Sequence, residues 1–161
     1  MTINVGDKIP SVKLRHMTKD GVKEISTDEI FKGKKVAIFG LPGAFTPTCS
    51  AKHLPGFLGH FDKFKAKGVD TIVCISVNDA FVMDAWGKNQ NVGDKVLMVA
   101  DGNAEFAKAV GIEMDGTGYG MGLRMKRFSA YVVDGTVKNF NLEKPGSFEV
   151  SNAETMLAQV G

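Results

Sequence analysis

The chain has only two cysteines, Cys49 and Cys74, with no CxxC pair and no cluster of cysteine with histidine. A disulfide scaffold needs more thiols and a zinc site needs closer ligand spacing, so both are excluded and no bound metal is expected. No apolar run approaches the roughly 20 residues that span a bilayer. The N-terminal stretch Met1-Thr2-Ile3-Asn4-Val5-Gly6-Asp7 lacks the basic start and apolar core of a secretory signal, and the arginines of a transit peptide. A cytoplasmic protein that avoids membranes is the expectation. Charge of one sign is scarce too: 20 Lys and Arg against 18 Asp and Glu leave +2. That balance offers no basic face for nucleic acid, and the lysine-rich segments 32–35 and 63–67 read as solvated surface. Repeats, low-complexity tracts and linkers are missing. At 161 residues and 43% hydrophobic content, residues 1–161 are expected to fold as one domain with its own core.

What is present is an alternation of strand-like and helix-like apolar patterns, which predicts an α/β architecture with a central mixed sheet flanked by helices. Strands are expected over 36–41, 69–77 and 95–99. A helix over 48–67 follows the first, with Leu54, Phe57, Leu58, Phe61 and Phe64 at helical spacing. Asn78 or Asp79 can cap the next helix, which carries Phe81, Val82, Ala85 and Trp86. A short helix over 103–110 ends at Gly111. Strands 128–133 and 136–142 flank Asp134-Gly135, a strong hairpin signal. Ser151 and Glu154 have the spacing of a capping box for a final helix. A hairpin through Lys19-Asp20-Gly21 forms an N-terminal extension.

Chemistry concentrates at the end of the first strand. The run GLPGAFTPTC, residues 40–49, puts Cys49 in the first turn of a helix. There, unpaired N–H groups and the positive end of the helix dipole favour a thiolate. Thr46 supplies a hydroxyl to the same small space, and Pro42 restricts the turn and shields the sulfur. The bland alternative for an unpaired cysteine, a small buried hydrophobe, competes with that reading. Pro42-x-x-x-Thr46-x-x-Cys49 resembles the active-site signature of peroxiredoxins, thiol peroxidases on a thioredoxin-like fold. The longer stretch 41–56, LPGAFTPTCSAKHLPG, is similar to the type II or peroxiredoxin V subfamily. The similarity extends through Ser76-Val77-Asn78-Asp79, the Arg127 strand and the final helix.

The resemblance implies reduction of hydrogen peroxide and alkyl hydroperoxides through a Cys49 sulfenic acid, without a bound cofactor. It also implies recycling by a thiol co-substrate, either glutathione with glutaredoxin or thioredoxin. Among the three arginines, Arg127 immediately precedes a buried strand, and the resemblance makes it the contact of sulfur and peroxide. Arg124 is expected to support the site from one layer out, or to be an exposed strand-end charge. His53, one turn after Cys49, is expected to pack or hydrogen-bond rather than act as a general base. Cys74 has two readings, a resolving thiol or a buried core thiol. The glycine-rich segment 116–122 is expected to lead toward the arginines. A homodimer is expected, with Phe45 and Tyr119 as contacts or pocket walls. Thiol–disulfide exchange is disfavoured because Cys49-Ser50-Ala51-Lys52 has no second thiol. A redox-sensing or holdase module switched by Cys49 oxidation is the alternative outside enzymology.

Overall fold

The strand that delivers the signature run is apolar on both faces, and it lies in the middle of the molecule. In the computed structural model, which describes residues 2–161, β3 (Lys35–Leu41) is buried at every position after Lys35. Alternate residues enter opposite cores: Val36 and Ile38 face one, Ala37, Phe39 and Leu41 the other. A strand covered on both sides reads as a continuous apolar run, as this one does.

Parallel to β3 lies β4 (Thr71–Ser76), and parallel to β4 lies β5 (Leu97–Ala100). Antiparallel strands complete the sheet. On one side β5 pairs with β1 (Lys13–Thr18) of the expected N-terminal hairpin, whose second strand is β2 (Gly21–Ser26). On the other side β3 pairs with β8 (Phe128–Val133), which pairs with β9 (Thr136–Leu142) across Asp134-Gly135. The order is β2-β1-β5-β4-β3-β8-β9, the expected mixed sheet.

Helices cover both faces. Ile30 and Phe31 of α1 (Thr27–Phe31) and Phe106 and Ala107 of α5 (Glu105–Ala109) pack with Val36, Ile38, Val73 and Ile75. The other face takes α2 (Leu54–Gly59), α3 (Phe61–Ala66), α4 (Ala80–Asn89) and α6 (Ala153–Gln159), through Phe57, Phe64, Trp86 and Met156. Asp79 caps α4, accepting from the Val82 N–H at 2.8 Å. Gly111, at φ +73°, follows α5 as expected.

Several expectations need correction. The helix foreseen over 48–67 is helical without interruption through Gly59 and is broken once, at His60. Within it, Cys49–His53 is a π-helical turn in which the Leu54 N–H reaches the Cys49 carbonyl. Pro55, which cannot donate and would crowd the carbonyl four residues back, follows this wider turn. The break at His60 separates α2 from α3, and the His60 ring Nδ1 lies 2.9 Å from the Gly56 carbonyl within α2. The capping box at Ser151 and Glu154 does not form: Asn152 caps α6, and the Ser151 hydroxyl donates to Glu143 instead. The third strand begins two residues late because Val92 and Lys95 close a turn. A small hairpin, β6 (Glu113–Asp115) with β7 (Leu123–Met125), was not foreseen, and the 116–122 segment is its tip.

Candidate active site

Leu41 ends β3, and the next five residues form a turn held from several directions. The Thr46 hydroxyl donates to the Gly43 carbonyl at 2.6 Å. Asn78, just after β4, accepts from the Ala44 N–H at 3.0 Å and from the Ser76 hydroxyl at 2.7 Å. Phe45 adopts φ +64°, a left-handed conformation unusual for an aromatic residue, so tertiary bonds must hold the turn in it. Helical backbone starts at Pro47, and the Ser50 N–H donates to the Thr46 carbonyl at 3.0 Å. This makes Pro47 a first-position proline, pre-set for helix, and places Cys49 in the first turn.

Cys49 is fully buried. Arg127, the last residue before β8, reaches it across 78 positions of sequence and donates from Nη2 to Sγ at 3.0 Å. The guanidinium lies over the Phe148 ring, 5.7 Å from its centroid. Its second nitrogen, Nη1, is 2.8 Å from His53 Nδ1. His53 Nε2 lies 2.9 Å from the Ser151 carbonyl. A carbonyl can only accept and a guanidinium can only donate, so the imidazole must be the neutral Nε2–H tautomer. Burial, followed by the Arg127 charge, lowers the His53 pKa to about 3, and the Ser151 bond offsets only part of this.

The Ser151 carbonyl is itself fixed. One Glu143 carboxylate oxygen accepts from the N–H groups of Glu149, Val150 and Ser151 at 2.8 Å and from the Ser151 hydroxyl at 2.7 Å. Burial alone would push the Glu143 carboxyl up, but these donors together hold it below its usual range. A continuous path therefore runs from Glu143 through the 149–151 loop, His53 and Arg127 to the sulfur.

Arg124, on β7, lies one layer out: Nε donates to the Met121 carbonyl at 2.9 Å and Nη1 to the Pro42 carbonyl at 3.2 Å. It occupies the space over Gly43 that a Cβ would need. Cys74, on β4, is paired in register with Phe39 on β3 and Met98 on β5, and shares the core of Cys49. Both thiols are free. Burial, reinforced by proximity to Cys49, raises the Cys74 pKa well above the ordinary thiol value, so it stays protonated. A protonated thiol is a poor nucleophile, which weighs against the resolving role.

Sequence reasoning left out Asn78 and Ser76 as anchors of the turn, Glu143 and Phe148 behind Arg127, and Ser50, whose hydroxyl accepts from Trp86 Nε1 at 3.0 Å. The family similarity through Ser76-Val77-Asn78-Asp79 was the signal for Ser76 and Asn78, and nothing local pointed to the others. Among the described residues no group of three or more His, Cys, Asp or Glu is placed to hold a metal, and no helix is long and apolar enough to cross a membrane.

Comparison with known proteins places the chain among its relatives. A family model described as Redoxin matches residues 4–157. Peroxiredoxin-2E, chloroplastic, of Arabidopsis thaliana is 45% identical over 160 residues, covering 97% of this chain and 68% of that protein. Peroxiredoxin-2D of the same plant is 44% identical over 156 residues, 96% of each chain. The crystal structure of reduced Prx3 from Vibrio vulnificus in complex with hydrogen peroxide is 52% identical, with a TM-score of 0.94 over 98% of both chains.

Proposed function

Because this chain belongs to the redoxin family, as a peroxiredoxin and thus a cysteine-based thiol peroxidase, we propose that Cys49 is the residue that attacks peroxide and that Arg127 is its principal electrostatic partner. The observation that carries this assignment is the 3.0 Å contact from Arg127 Nη2 to Cys49 Sγ. The Cys49 thiolate attacks one peroxide oxygen, forming the S–O bond of a sulfenic acid as the O–O bond breaks. The electron pair departs on the second oxygen, which takes a proton from solvent and leaves as water or an alcohol. Arg127 offers donors to sulfur and peroxide without ever losing its charge. The Thr46 hydrogen is committed to Gly43, so its oxygen lone pairs are available to accept from the peroxide O–H. Pro42 shields the sulfur from bulk water.

His53 acts as a neutral acceptor that aims Arg127, and Arg124 supports the turn through Pro42. An external thiol restores Cys49: it forms a mixed disulfide and releases water, and a second thiol then displaces the sulfur. Glutathione with glutaredoxin, or thioredoxin, fills that role in the cytosol, and no bound cofactor takes part. The protonated, fully buried Cys74 supports this reading over an internal resolver. Phe45, 52% exposed in the Cys49 turn, and Tyr119, 88% exposed at the tip of the β6–β7 hairpin, are large aromatic side chains open to solvent and support a homodimer. No observation favours a purely redox-sensing or holdase role.

Cys49→Ser tests the core assignment, since serine is nearly isosteric but is not ionised near neutrality. The variant should fold normally and lose peroxide consumption with every reductant. Normal consumption by Cys49→Ser would refute the assignment, whereas turnover by the native chain with thioredoxin but none with glutathione and glutaredoxin would exclude glutathione as reductant.

A further inference from the structure

Beside the Cys49 turn the surface opens into a cavity of about 120 Å³. Pro42, Thr48 and Arg127 of the site line it together with Lys126, Glu143 and Lys144. At about 30 Å³ per water, the space holds about four waters, enough for a carboxylate and the carbon that bears it. A whole tripeptide would not fit.

The charges that line the cavity are unequally committed. Glu143 spends one oxygen on four internal donors and is nearly buried. Arg127 is divided between Cys49 and His53. Lys126 and Lys144 make no salt bridge among the described residues. Lys126 is half-buried and Lys144 exposed, and although Glu143 lines the same cavity it makes no ion pair with either. Two lysines without an ion pair, lining a small cavity that also takes in Pro42, Thr48 and Arg127 of the site, favour an anion delivered together with whatever reacts there.

We propose that this cavity is a carboxylate subsite in which Lys126 and Lys144 hold a carboxylate of the molecule reacting at Cys49. The inference rests on the reading of Cys49 given above. Two molecules bring that chemistry to the sulfur: a small acidic thiol that recycles the sulfenic acid, and a hydroperoxide that carries a carboxylate. In either case the lysines act by binding and orientation, and the covalent steps are unchanged.

The test compares reagents that differ only in the carboxylate. For the thiol, glutathione is measured against its diethyl ester. For the peroxide, linoleic acid hydroperoxide is measured against its methyl ester. In the doubly substituted Lys126→Gln/Lys144→Gln protein, the preference for the free acid over the ester should fall about three- to tenfold for at least one pair. The pair that responds identifies the source of the carboxylate. The native preference should also weaken as ionic strength rises from 0.01 to 0.15 M, because the screening length shrinks from about 30 to about 8 Å. Lys138→Gln, a charge change on exposed β9, should leave both preferences unchanged. Equal acid and ester behaviour in native and doubly substituted protein, or an equal effect from Lys138→Gln, would overturn the proposal.

A second measurement separates this proposal from the Cys49 reading. Binding of S-methylglutathione to Cys49→Ser protein is followed by calorimetry and needs no turnover. Lysine-dependent binding there supports the subsite even if Cys49 proves not to be the peroxide nucleophile. Binding that ignores the lysines, together with an unresponsive peroxide pair, refutes it.

Discussion

The depressed His53 pKa and the raised Asp101 pKa make opposing contributions to stability in one pH window, and substitution can separate them. His53 titrates at about 3 in the folded protein against an ordinary 6.5. Between those values the unfolded chain binds the proton and the native one does not, so stability is complete above about 6.5 and is lost as pH falls toward 3. From pH 7 to pH 5 this group alone removes about 2 kcal/mol, at 1.36 kcal/mol per unit once the unfolded imidazole is protonated.

Asp101 works the other way. It is 2% exposed and accepts from the Phe106 and Ala107 N–H groups, but desolvation outweighs those bonds and raises its pKa from 3.8 to about 6. The native state therefore holds the proton more tightly, and its contribution is full below about 3.8 and lost as pH rises through 6. Going from pH 7 to pH 5 it returns about 1 kcal/mol. Native protein should thus lose only about 1 kcal/mol over this range, measured as urea unfolding free energy. His53→Asn should instead gain about 1 kcal/mol on acidification, and Asp101→Asn should lose about 2. Each variant is compared with itself at the two pH values, so any packing loss cancels. If His53→Asn follows the native slope, His53 is not held as a buried neutral base, and the tautomer assigned from Arg127 and Ser151 is wrong.

Arg127→Lys should slow peroxide attack nearly as much as Arg127→Gln, about 10²-fold or more in rapid-mixing kinetics, because one ammonium cannot serve both Cys49 Sγ and His53 Nδ1; full activity in Arg127→Lys would reduce the role to simple charge. Gly40→Ala should destabilise the fold by about 1–3 kcal/mol in urea, since the added Cβ would overlap the Phe128 ring and lie 2.7 Å from Met125 Sδ. Intact-mass analysis after one equivalent of peroxide and excess glutathione should show a glutathione adduct on Cys49, and a rapidly formed Cys49–Cys74 disulfide would restore Cys74 as resolver. Light scattering at micromolar concentration should give a dimer mass for native protein, shifting toward monomer in a Phe45→Asp/Tyr119→Asp double variant.

The sequence by itself determined the features that short-range rules govern. The apolar run in β3, the Asp134-Gly135 turn, the Lys19-Asp20-Gly21 hairpin and the Asp79 cap each depend on backbone preference or burial within a few residues, and each is present. Cys49 and Arg127 were also legible, one from its place in a helix start and the other from a matching signature before a buried strand. The wider turn that accommodates Pro55 was legible too, and the strength of the apolar periodicity through 48–67 concealed it.

Only the tertiary structure decided which partners finish the site. Ser151 has a good capping spacing to Glu154, yet Glu143 captures its hydroxyl, since a nearly buried carboxylate gains more from converging donors than a helix end gains from one cap. His53 could have been a general base or a packing residue on its own spacing; Arg127 on one side and a carbonyl 98 residues away on the other leave it a single tautomer and no charge. Asn78 and Ser50 are ordinary polar residues in the chain and become anchors only when β4 and α4 are laid beside the Cys49 turn. Such bonds join groups far apart in sequence, and no local propensity encodes their geometry; the packed core, which leaves buried polar atoms few places to go, selects them.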